Sequence, residues 1–574
     1  MIDHNHFMPN LLAAHLQSST LLQIFRSVLS NSGLTTHFGN IVTLINRKLL
    51  LTLSTLLLVT TGTAFADSRP NIIFIYSDDH AFQSISAYGG RLKDVAPTPN
   101  IDRIARNGIR FDRATVTNSI CAPARAVVLT GKYSHLNGVR DNATAFDGSQ
   151  NTFPKMLREN GYETAIIGKW HLGSDPTGFD HWDVLPGQGL YYNPEFKTKE
   201  GIETVPGYVT DITTEKSLRW LDTVREKDKP FLLMMQHKAP HRPWVSGPRQ
   251  LYFLEDQTIP EPANLFDRYE NRASAASNQA MTIANDLRPR EDLKIYDPNE
   301  ETQREDLKAY GVENDTPWPK WMYGNMSDAQ RRLWYAAYKQ RNADIADVVL
   351  EGTDLVRWQY QAYLKDYLRT IRSIDDSVGE ILNYLIANGL EENTIVIYSS
   401  DQGFYLGEHG WYDKRFMYEE SFRTPLLMQW PGRIRPGTST SELVSNLDIA
   451  PTLLDLARVK TDPRMQGLSL RPILENELEY QWRDVLYYRY YEYPGGHLVE
   501  PHEGVADKRY KLIHFLISDE WELFDLIEDP MEMHSVYDDP RYGEIRRNLE
   551  SRLERQKEQF DVPSNEPLRS GFGT

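Results

Sequence analysis

One cysteine occurs in this chain of 574 residues, and its neighbours single it out for chemistry. Cys121 opens the pentapeptide Cys-Ala-Pro-Ala-Arg, which ends at Arg125, and Leu-Thr-Gly follows at residues 129–131. Without a second cysteine no internal disulfide can form. A lone thiol is either packed as a small hydrophobic group or activated by its surroundings. In an oxidising compartment, which the leader described below indicates, a reactive thiol is a liability. Cys121 is therefore either buried and inert or converted to another group.

Carboxylates follow two apolar runs that are far apart in the chain. Asp78 and Asp79 come after the run 71–77, and Asp401 and Gln402 come after the run 394–400. Both runs are typical of buried parallel strands, whose carboxyl ends meet at one edge of a sheet. Oxygen donors from the two strands suit Ca²⁺ or Mg²⁺ and argue against zinc or copper. The alternative is that the aspartates cap helices or shape turns.

Cationic and imidazole side chains follow three other segments. Lys169 and His171 come after a short apolar segment, His241 follows the run 231–236, and Lys414 lies shortly beyond Asp401. Taken alone, each is better explained as a solvated lysine or a hydrogen-bonded histidine, and only their joint order along the chain points to a common site. Cations paired with a metal are what the cleavage of an anionic ester requires, because charge must be stabilised on the group that is transferred.

The cysteine motif and its Leu-Thr-Gly flank resemble the signature of type I sulfatases, and the other segments follow in that family's order. The resemblance implies that Cys121 is oxidised to formylglycine (3-oxoalanine) by a formylglycine-generating or anaerobic sulfatase-maturating enzyme. It also implies one Ca²⁺ ion held by Asp78, Asp79, Asp401, Gln402 and the converted Cys121. Gln402 departs from the Asn or His that is more frequent in the family, but it keeps a carbonyl ligand.

The same resemblance implies a role for each remaining site residue. Arg125 and the ion orient and activate the hydrated aldehyde at position 121. Lys169 and Lys414 bind the sulfuryl oxygens, and His171 assists regeneration of the aldehyde. His241, together with Lys414, protonates or stabilises the leaving oxygen. Because the hydrate has two hydroxyls, one can attack sulfur while the other later expels sulfate, so water need not attack sulfur.

The alternation of strands and helices from residue 69 to about 460 predicts an α/β fold with a mostly parallel sheet covered by helices on both faces. The family resemblance implies an alkaline-phosphatase-like core. We predict a catalytic domain over 67–461, interrupted by an insertion at about 255–356. A C-terminal subdomain over 462–574 should hold a small antiparallel sheet and one charged helix.

Residues 1–66 are predicted to be a leader, with a secretory signal peptide at about 47–66. Arg47 and Lys48 precede an apolar stretch over 49–59, and Ala-Phe-Ala at 64–66 offers a cleavage site. Because the apolar stretch is shorter than the roughly 20 residues that span a bilayer, no stable membrane span is expected. The translation start is predicted to lie near Val42. We therefore expect a periplasmic or secreted bacterial protein. The net charge of -17 argues against nucleic acid as a partner.

The residues around Asp401 resemble bacterial sulfatases that act on sulfated sugars, including N-acetylglucosamine-6-sulfatases. We expect a sulfuric ester hydrolase that acts on a sulfated polysaccharide or oligosaccharide, either an algal glycan such as ulvan or a glycosaminoglycan-like chain. Candidate sugar contacts are His409, Arg242, His497 and His502. Two alternatives remain open: a phosphate or phosphonate monoester hydrolase of the same superfamily, and a glycan-binding protein in which Cys121 is never converted.

Overall fold

The computed structural model describes residues 69–295, 325–346, 348–477, 480–566 and 568. The leader predicted over 1–66, with its signal peptide, and residues 296–324 of the predicted insertion lie outside the described residues. The chain from Arg69 onward forms one compact unit. Within the described ranges, no helix combines the length and the apolar character that crossing a membrane requires.

The described strands pair into one large sheet and three smaller ones. In chain order they are β1 (Asn71–Ser77), β2 (Ile109–Phe111), β3 (Ala114–Thr115), β4 (Glu163–Lys169), β5 (His181–Leu185), β6 (Glu195–Lys197), β7 (Ile202–Thr204), β8 (Phe231–Gln236), β9 (Thr394–Ser400), β10 (Tyr405–Leu406), β11 (Tyr412–Asp413), β12 (Leu426–Gln429), β13 (Thr438–Thr440), β14 (Val444–Ser445), β15 (Leu486–Tyr490), β16 (His502–Ala506), β17 (Tyr510–Phe515) and β18 (Glu520–Asp525).

The α-helices of the described residues range from single turns to one long helix. In chain order they are α1 (Ile101–Arg106), α2 (Cys121–Thr130), α3 (Ser134–Asn137), α4 (Phe153–Glu159), α5 (Val209–Arg219), α6 (Ala275–Asn278), α7 (Asp328–Ala346), α8 (Gly352–Ala387), α9 (Glu419–Phe422), α10 (Ile449–Leu456), α11 (Arg471–Leu474) and α12 (Gly543–Gln559). Helix α8 begins before residue 356, the predicted end of the insertion.

The large sheet, as far as the structure describes it, has ten strands in the order β13-β2-β12-β9-β1-β8-β4-β5-β6-β7. Its centre is parallel, since β1 lies between β9 and β8, and β8 pairs with β4 in the same direction. Strands β12, β6 and β7 supply the antiparallel pairs. The prediction of a mostly parallel α/β sheet is confirmed.

Helices cover both faces of this sheet because its central strands are apolar on both sides. Ile72 and Phe74 of β1 pack among buried residues of α2, α4 and α10. Ile73 and Ile75 point to the opposite face and pack among buried residues of α1, α5 and α8. Successive side chains of a strand alternate between the two faces of a sheet. A run that is apolar at every position therefore dictates a sheet buried between two helical layers.

A separate four-stranded antiparallel sheet in the described C-terminal part has the order β15-β16-β17-β18. Helix α12 packs on it through Leu549 and Leu553, against Val505, Leu512 and Leu523. The predicted small antiparallel sheet with one charged helix is confirmed. The domain boundaries at 461 and at 255–356 remain predictions.

Candidate active site

The polar residues selected from the sequence meet at the carboxyl edge of the central sheet. Asp78 directly follows β1, Asp401 directly follows β9, Lys169 ends β4, and His241 lies in the turn that follows β8. These four strands are neighbours in the sheet and run in the same direction. The edge of a parallel sheet thus collects side chains that are separated by hundreds of residues in the chain.

Cys121 is the first residue of helix α2 and is fully buried at 0% exposure. Its Sγ lies within 4.8 Å of a carboxylate oxygen of Asp78 and of a ring nitrogen of His241. The next residue, Ala122, donates its backbone N–H to Asn142 Oδ1 at 3.0 Å. Burial, followed by the nearby Asp78 carboxylate, raises the pKa of the Cys121 thiol well above its usual value. The unmodified sulfur is therefore a protonated thiol at neutral pH.

Three buried carboxylates form a cluster that could hold a metal ion. One oxygen each of Asp78, Asp79 and Asp401 lies within 4.8 Å of the others. Asp78 Oδ1 and Gln402 Oε1 are buried without a hydrogen-bond partner in the structure. Buried oxygens in this condition are costly unless a proton donor or a cation meets them. The set consists of oxygen donors, which fits a hard divalent cation such as Ca²⁺.

The charges of these acids are strongly coupled. Burial raises the pKa of Asp79 to about 6, although Lys414 opposes this. Burial and then the neighbouring Asp78 raise the pKa of Asp401 well above the usual value. For Asp78, burial acts to raise the pKa, but Lys169, His241 and Arg125 together outweigh burial and hold the pKa well below its usual range. Three carboxylates this close favour a proton or further positive charge among them.

Each of the three acids contacts a cation of the chain itself. Lys169 Nζ donates to Asp78 Oδ2, and Lys414 Nζ lies 2.7 and 2.8 Å from the two oxygens of Asp79. Arg125 donates to Asp401 Oδ2 from Nε at 3.2 Å and from Nη2 at 3.0 Å. Its Nη1 also donates to the Lys169 carbonyl at 3.0 Å. Arg125 therefore ties helix α2 to the ends of β4 and β9.

The two histidines present neutral rings. His241 Nδ1 donates to the Arg242 carbonyl at 2.6 Å, so its Nε2, 3.8 Å from Asp79 Oδ2, carries a lone pair. His171 is buried, and its Nδ1 has no hydrogen-bond partner. Burial, and then the Lys169 ammonium, lowers the pKa of both rings well below the usual value. Both imidazoles are therefore uncharged at neutral pH.

Several backbone conformations at this edge are unusual. Asp79, His171, Asp413 and Arg415 have positive φ angles of 69°, 54°, 78° and 100°. Residues other than glycine rarely adopt such angles, and each costs on the order of 1–3 kcal/mol. Gly168, at φ 107°, precedes Lys169, and a Cβ there would lie 1.9 Å from the Gln236 carbonyl oxygen. This close approach of β4 to β8 requires glycine.

The predicted sugar contacts fall into two groups. His497 Nε2 lies 3.3 Å from Asp413 Oδ2, beside Lys414, and Arg242 is held by Asp292 at 2.7 and 2.5 Å. The other two rings are fully buried. His409 donates from Nδ1 to Asp267 Oδ2 at 2.9 Å, and His502 donates from Nδ1 to the Glu500 carbonyl at 2.7 Å. Neither His409 nor His502 has exposed surface through which a sugar could be contacted.

Some residues at this edge are not selected by the sequence analysis. Gln188 Oε1 accepts from Lys169 Nζ at 2.5 Å, and Gln236 Oε1 accepts from Arg125 Nη1 at 2.8 Å. Arg415 is buried, with Nε and Nη1 lacking hydrogen-bond partners. Lys238 follows β8 by two residues. The available signal was position, because Lys238 and Arg415 stand next to segments already selected.

A profile of the sulfatase family matches residues 70–459, and one described as N-sulphoglucosamine sulphohydrolase, C-terminal, matches 407–559. Over 499 residues the chain is 46% identical to an N-acetylglucosamine-6-O-sulfatase of Bacteroides thetaiotaomicron, covering 86% of this chain and 87% of the relative. An N-acetylglucosamine-6-sulfatase of Capra hircus is 28% identical over 453 residues, which cover 74% and 67%.

Among solved structures, one match is a protein in complex with its substrate D-glucosamine-2-N,6-O-disulfate. The TM-score is 0.81 at 45% sequence identity, and the match covers 87% of this chain and 99% of that one. The described fold is therefore that of a relative whose sugar substrate carries sulfate esterified at O6.

Proposed function

The chain belongs to the sulfatase family, and from that premise we propose that it hydrolyses the 6-O-sulfate ester of N-acetylglucosamine or a related glucosamine unit in a glycan. The observation that carries this proposal is the 46% identity, over most of both chains, to a sulfatase of that specificity. A glycosaminoglycan-like substrate is thereby favoured over an algal glycan such as ulvan.

Formylglycine at position 121 and one Ca²⁺ ion are part of the proposal. The ion would be held by the clustered oxygens of Asp78, Asp79, Asp401 and Gln402, beside residue 121. When bound, it supplies positive charge to the sulfuryl oxygens and to the nucleophile. Hydrated formylglycine supplies an oxygen nucleophile and a second hydroxyl for releasing sulfate. Conversion of Cys121 replaces sulfur by oxygen in a two-electron oxidation, for which the maturation enzyme must provide the oxidant.

The position of each remaining site residue suggests its role in binding the ester or moving protons. Lys169 and Lys414 would bind the sulfuryl oxygens from two sides, because both ammonium groups already lie at the carboxylate cluster. His241 would protonate the leaving sugar oxygen from Nε2, with Lys414 beside it. Because Nε2 carries a lone pair in the protein as described, the ring would first have to take up a proton when the anionic ester binds. His171, with a free Nδ1, would take the proton released when the aldehyde is regenerated. Arg125 fixes Asp401 and the end of β4 relative to residue 121.

A cluster beside Lys414 offers hydrogen bonds to a sugar ring. Asp413 lies between His497 Nε2, 3.3 Å from Oδ2, and Arg415 Nη2, 3.5 Å from Oδ1. The guanidinium of Arg415 keeps Nε and Nη1 without partners although it is buried. We propose that these three side chains bind hydroxyls of the sugar, with Arg242 contributing from the opposite segment.

The test is sulfate release by the purified, matured protein. N-acetylglucosamine-6-sulfate should be cleaved, whereas the matched 6-phosphate ester and glucosamine sulfated only at other positions should not be. Peptide mass spectrometry over residue 121 should show a loss of about 18 Da from the cysteine form. Cys121→Ser should abolish turnover. Cleavage by protein that retains the thiol, or preference for the phosphate ester, would contradict the proposal. The periplasmic or secreted location remains a prediction from the sequence.

A further inference from the structure

Lys238 lies against the centre of the site without taking part in its ion pairs. The His237 N–H donates to the Tyr76 carbonyl at 2.9 Å, and the Asp78 N–H donates to the Ala239 carbonyl at 3.3 Å. These two hydrogen bonds hold the backbone of Lys238 beside residues 77 and 78, where β1 delivers its carboxylates. The side chain is 3% exposed.

The ammonium of Lys238 has no acidic partner in the part of the chain that the structure describes. Its Nζ lies 4.9 Å from the centre of the Tyr191 ring, and the Tyr191 hydroxyl is fixed by donating to the His241 carbonyl at 2.5 Å. A contact between a cation and an aromatic face is weaker than an ion pair with a carboxylate. The structure thus holds a buried cation on a rigid ring. No carboxylate of the described residues lies within ion-pair distance of it, although Asp78 and Asp79 are near enough to attract it.

The neighbouring charges explain why no acid is available. Asp78 is in contact with Lys169, Asp79 with Lys414, and Asp401 with Arg125. Lys238 is therefore a fourth cation beside three acids that already have partners. Burial, and then the nearby Lys169 ammonium, lowers the pKa of Lys238 to about 7, which reflects the cost of holding this charge unpaired.

We propose that Lys238 is a substrate-binding residue whose ammonium pairs with the anionic sulfuryl group of the bound ester and of the sulfate product. This inference rests on the proposed function, because it needs an anion at residue 121. In the free enzyme the group is a cost in stability; with the anion bound it gains a charge-assisted hydrogen bond. An unpaired buried charge kept at a binding site is a typical compromise between stability and function.

The test compares Lys238→Met, which removes the charge at similar volume, with Lys238→Arg, which keeps it. Lys132→Met is the matched control. Lys132 is also buried, at 8% exposure, but lies just beyond the end of α2 opposite to Cys121. All three variants and the wild type are assayed with N-acetylglucosamine-6-sulfate and 4-nitrophenyl sulfate, with inorganic sulfate as the inhibitor.

Lys238→Met should lower kcat/KM on both esters and weaken inhibition by sulfate, each by about 10- to 100-fold, the usual worth of a hydrogen bond to a charged group. Its melting temperature should equal or exceed that of the wild type, since an unpaired buried charge has been removed. If Lys238 had only a structural role, replacing it by methionine would instead lower the melting temperature. Lys238→Arg should recover part of the loss, and Lys132→Met should keep wild-type kinetics.

The assignment is overturned if folded Lys238→Met retains wild-type kcat/KM and sulfate inhibition, or if folded Lys238→Arg is impaired as severely as the methionine variant. Should the methionine variant not fold, Lys238→Gln replaces it in the same comparison. Failure of the proposed function is distinguishable, because the wild type would then release no sulfate from N-acetylglucosamine-6-sulfate.

Discussion

At the scale of single residues, the site is a set of matched charges in which each carboxylate of the cluster contacts at least one cation of the chain, and Asp78 also lies 3.6 Å from Arg125 Nη2. Asp401 is held by Arg125, Asp78 by Lys169, and Asp79 by Lys414. Removing one partner from such a buried pair leaves the other charge uncompensated, which is costly. Variants at these positions therefore perturb stability as well as chemistry, and their tests need readouts that separate the two.

The ion proposed for the carboxylate cluster can be tested in this way with Asp401→Asn. Calcium at 100 times its dissociation constant should stabilise the wild type by about 2.7 kcal/mol, and chelation should reverse this. Asp401→Asn should lose most of that calcium-dependent stabilisation in thermal unfolding. Asp375→Asn is the control, because Asp375 is a buried acid that accepts from the Asn100 and Ile101 N–H groups at 2.9 Å. It should lower stability and keep the calcium effect; a full calcium effect in Asp401→Asn would contradict the ligand assignment.

The proton role proposed for His241 predicts a dependence on the leaving group. His241→Ala should lower kcat by about 10²- to 10⁴-fold on a sugar sulfate, the usual contribution of a general acid. The loss on 4-nitrophenyl sulfate should be much smaller, because nitrophenolate departs with little need of a proton. Steady-state kinetics on the two esters provide the measurement. Equal losses on both would show that His241 acts on the sulfuryl group or on packing.

At the scale of elements, the C-terminal sheet contacts the segment behind the site through ion pairs of one buried lysine on strand β17. Lys511 Nζ lies 2.8 Å from Glu419 Oε1 and 2.7 Å from Glu532 Oε1. Glu419 begins helix α9, which follows the segment that carries Lys414 and Arg415. The small sheet thus supports the loop that supplies the second lysine of the site and the proposed sugar contacts.

Lys511→Met should lower the free energy of unfolding by about 3–5 kcal/mol, because two buried carboxylates lose their cation. Lys508→Met, three residues away, is the matched control. Lys508 pairs with Glu442 at 2.8 Å, but its side chain is 50% exposed. Surface pairs contribute about 1 kcal/mol or less. Chemical unfolding of the two variants gives the comparison. Similar unfolding midpoints would show that the Lys511 ion pairs do not stabilise the protein more than the surface pair of Lys508 does.

The elements also show what the sequence could and could not predict. Strands β1 and β9 are recognisable from the sequence because each is a run of seven mostly apolar residues, buried at every position, that is directly followed by an aspartate. Strand β16 was not predicted, because its residues, His-Glu-Gly-Val-Ala, carry polar groups and a glycine. Its burial depends on β15 and β17 on either side. The isolation of Lys238 was likewise unpredictable, since ion pairing is decided by which distant residues fold nearby.

At the scale of the whole molecule, buried neutral histidines should limit stability in acid. Burial lowers the pKa of His502 to about 4, although its Nδ1 donates to the Glu500 carbonyl. Its Nε2 accepts from the Met417 N–H at 3.1 Å and cannot take a proton without breaking that bond. The unfolded chain protonates this ring near pH 6.5. Stability is therefore fully present above about pH 6.5 and falls as the pH drops towards 4.

His502 alone should cost about 3 kcal/mol over that interval, at about 1.4 kcal/mol per pH unit. His502→Gln, which keeps a donor and an acceptor but does not titrate, should flatten the pH dependence of unfolding by about one proton. His514→Gln is the control on the neighbouring strand, where the ring is partly exposed and pairs with Asp519. The measurement is the free energy of unfolding between pH 4 and 8. An unchanged slope in His502→Gln would refute the prediction.

Strand β1 pairs with β9, from Asn71 with Thr394 to Ser77 with Ser400. The centre of the large sheet therefore cannot form until β9 has been synthesised. A chain emerging from the ribosome exposes one bare side of β1 until nearly seven tenths of its length has been made. Unpaired strand edges invite association with other chains. A nascent or truncated form ending before β9 would lack Asp401 and Gln402 and would leave the edge of β1 that faces β9 unpaired. Production of soluble protein should therefore depend on chaperones that shield this edge during translation.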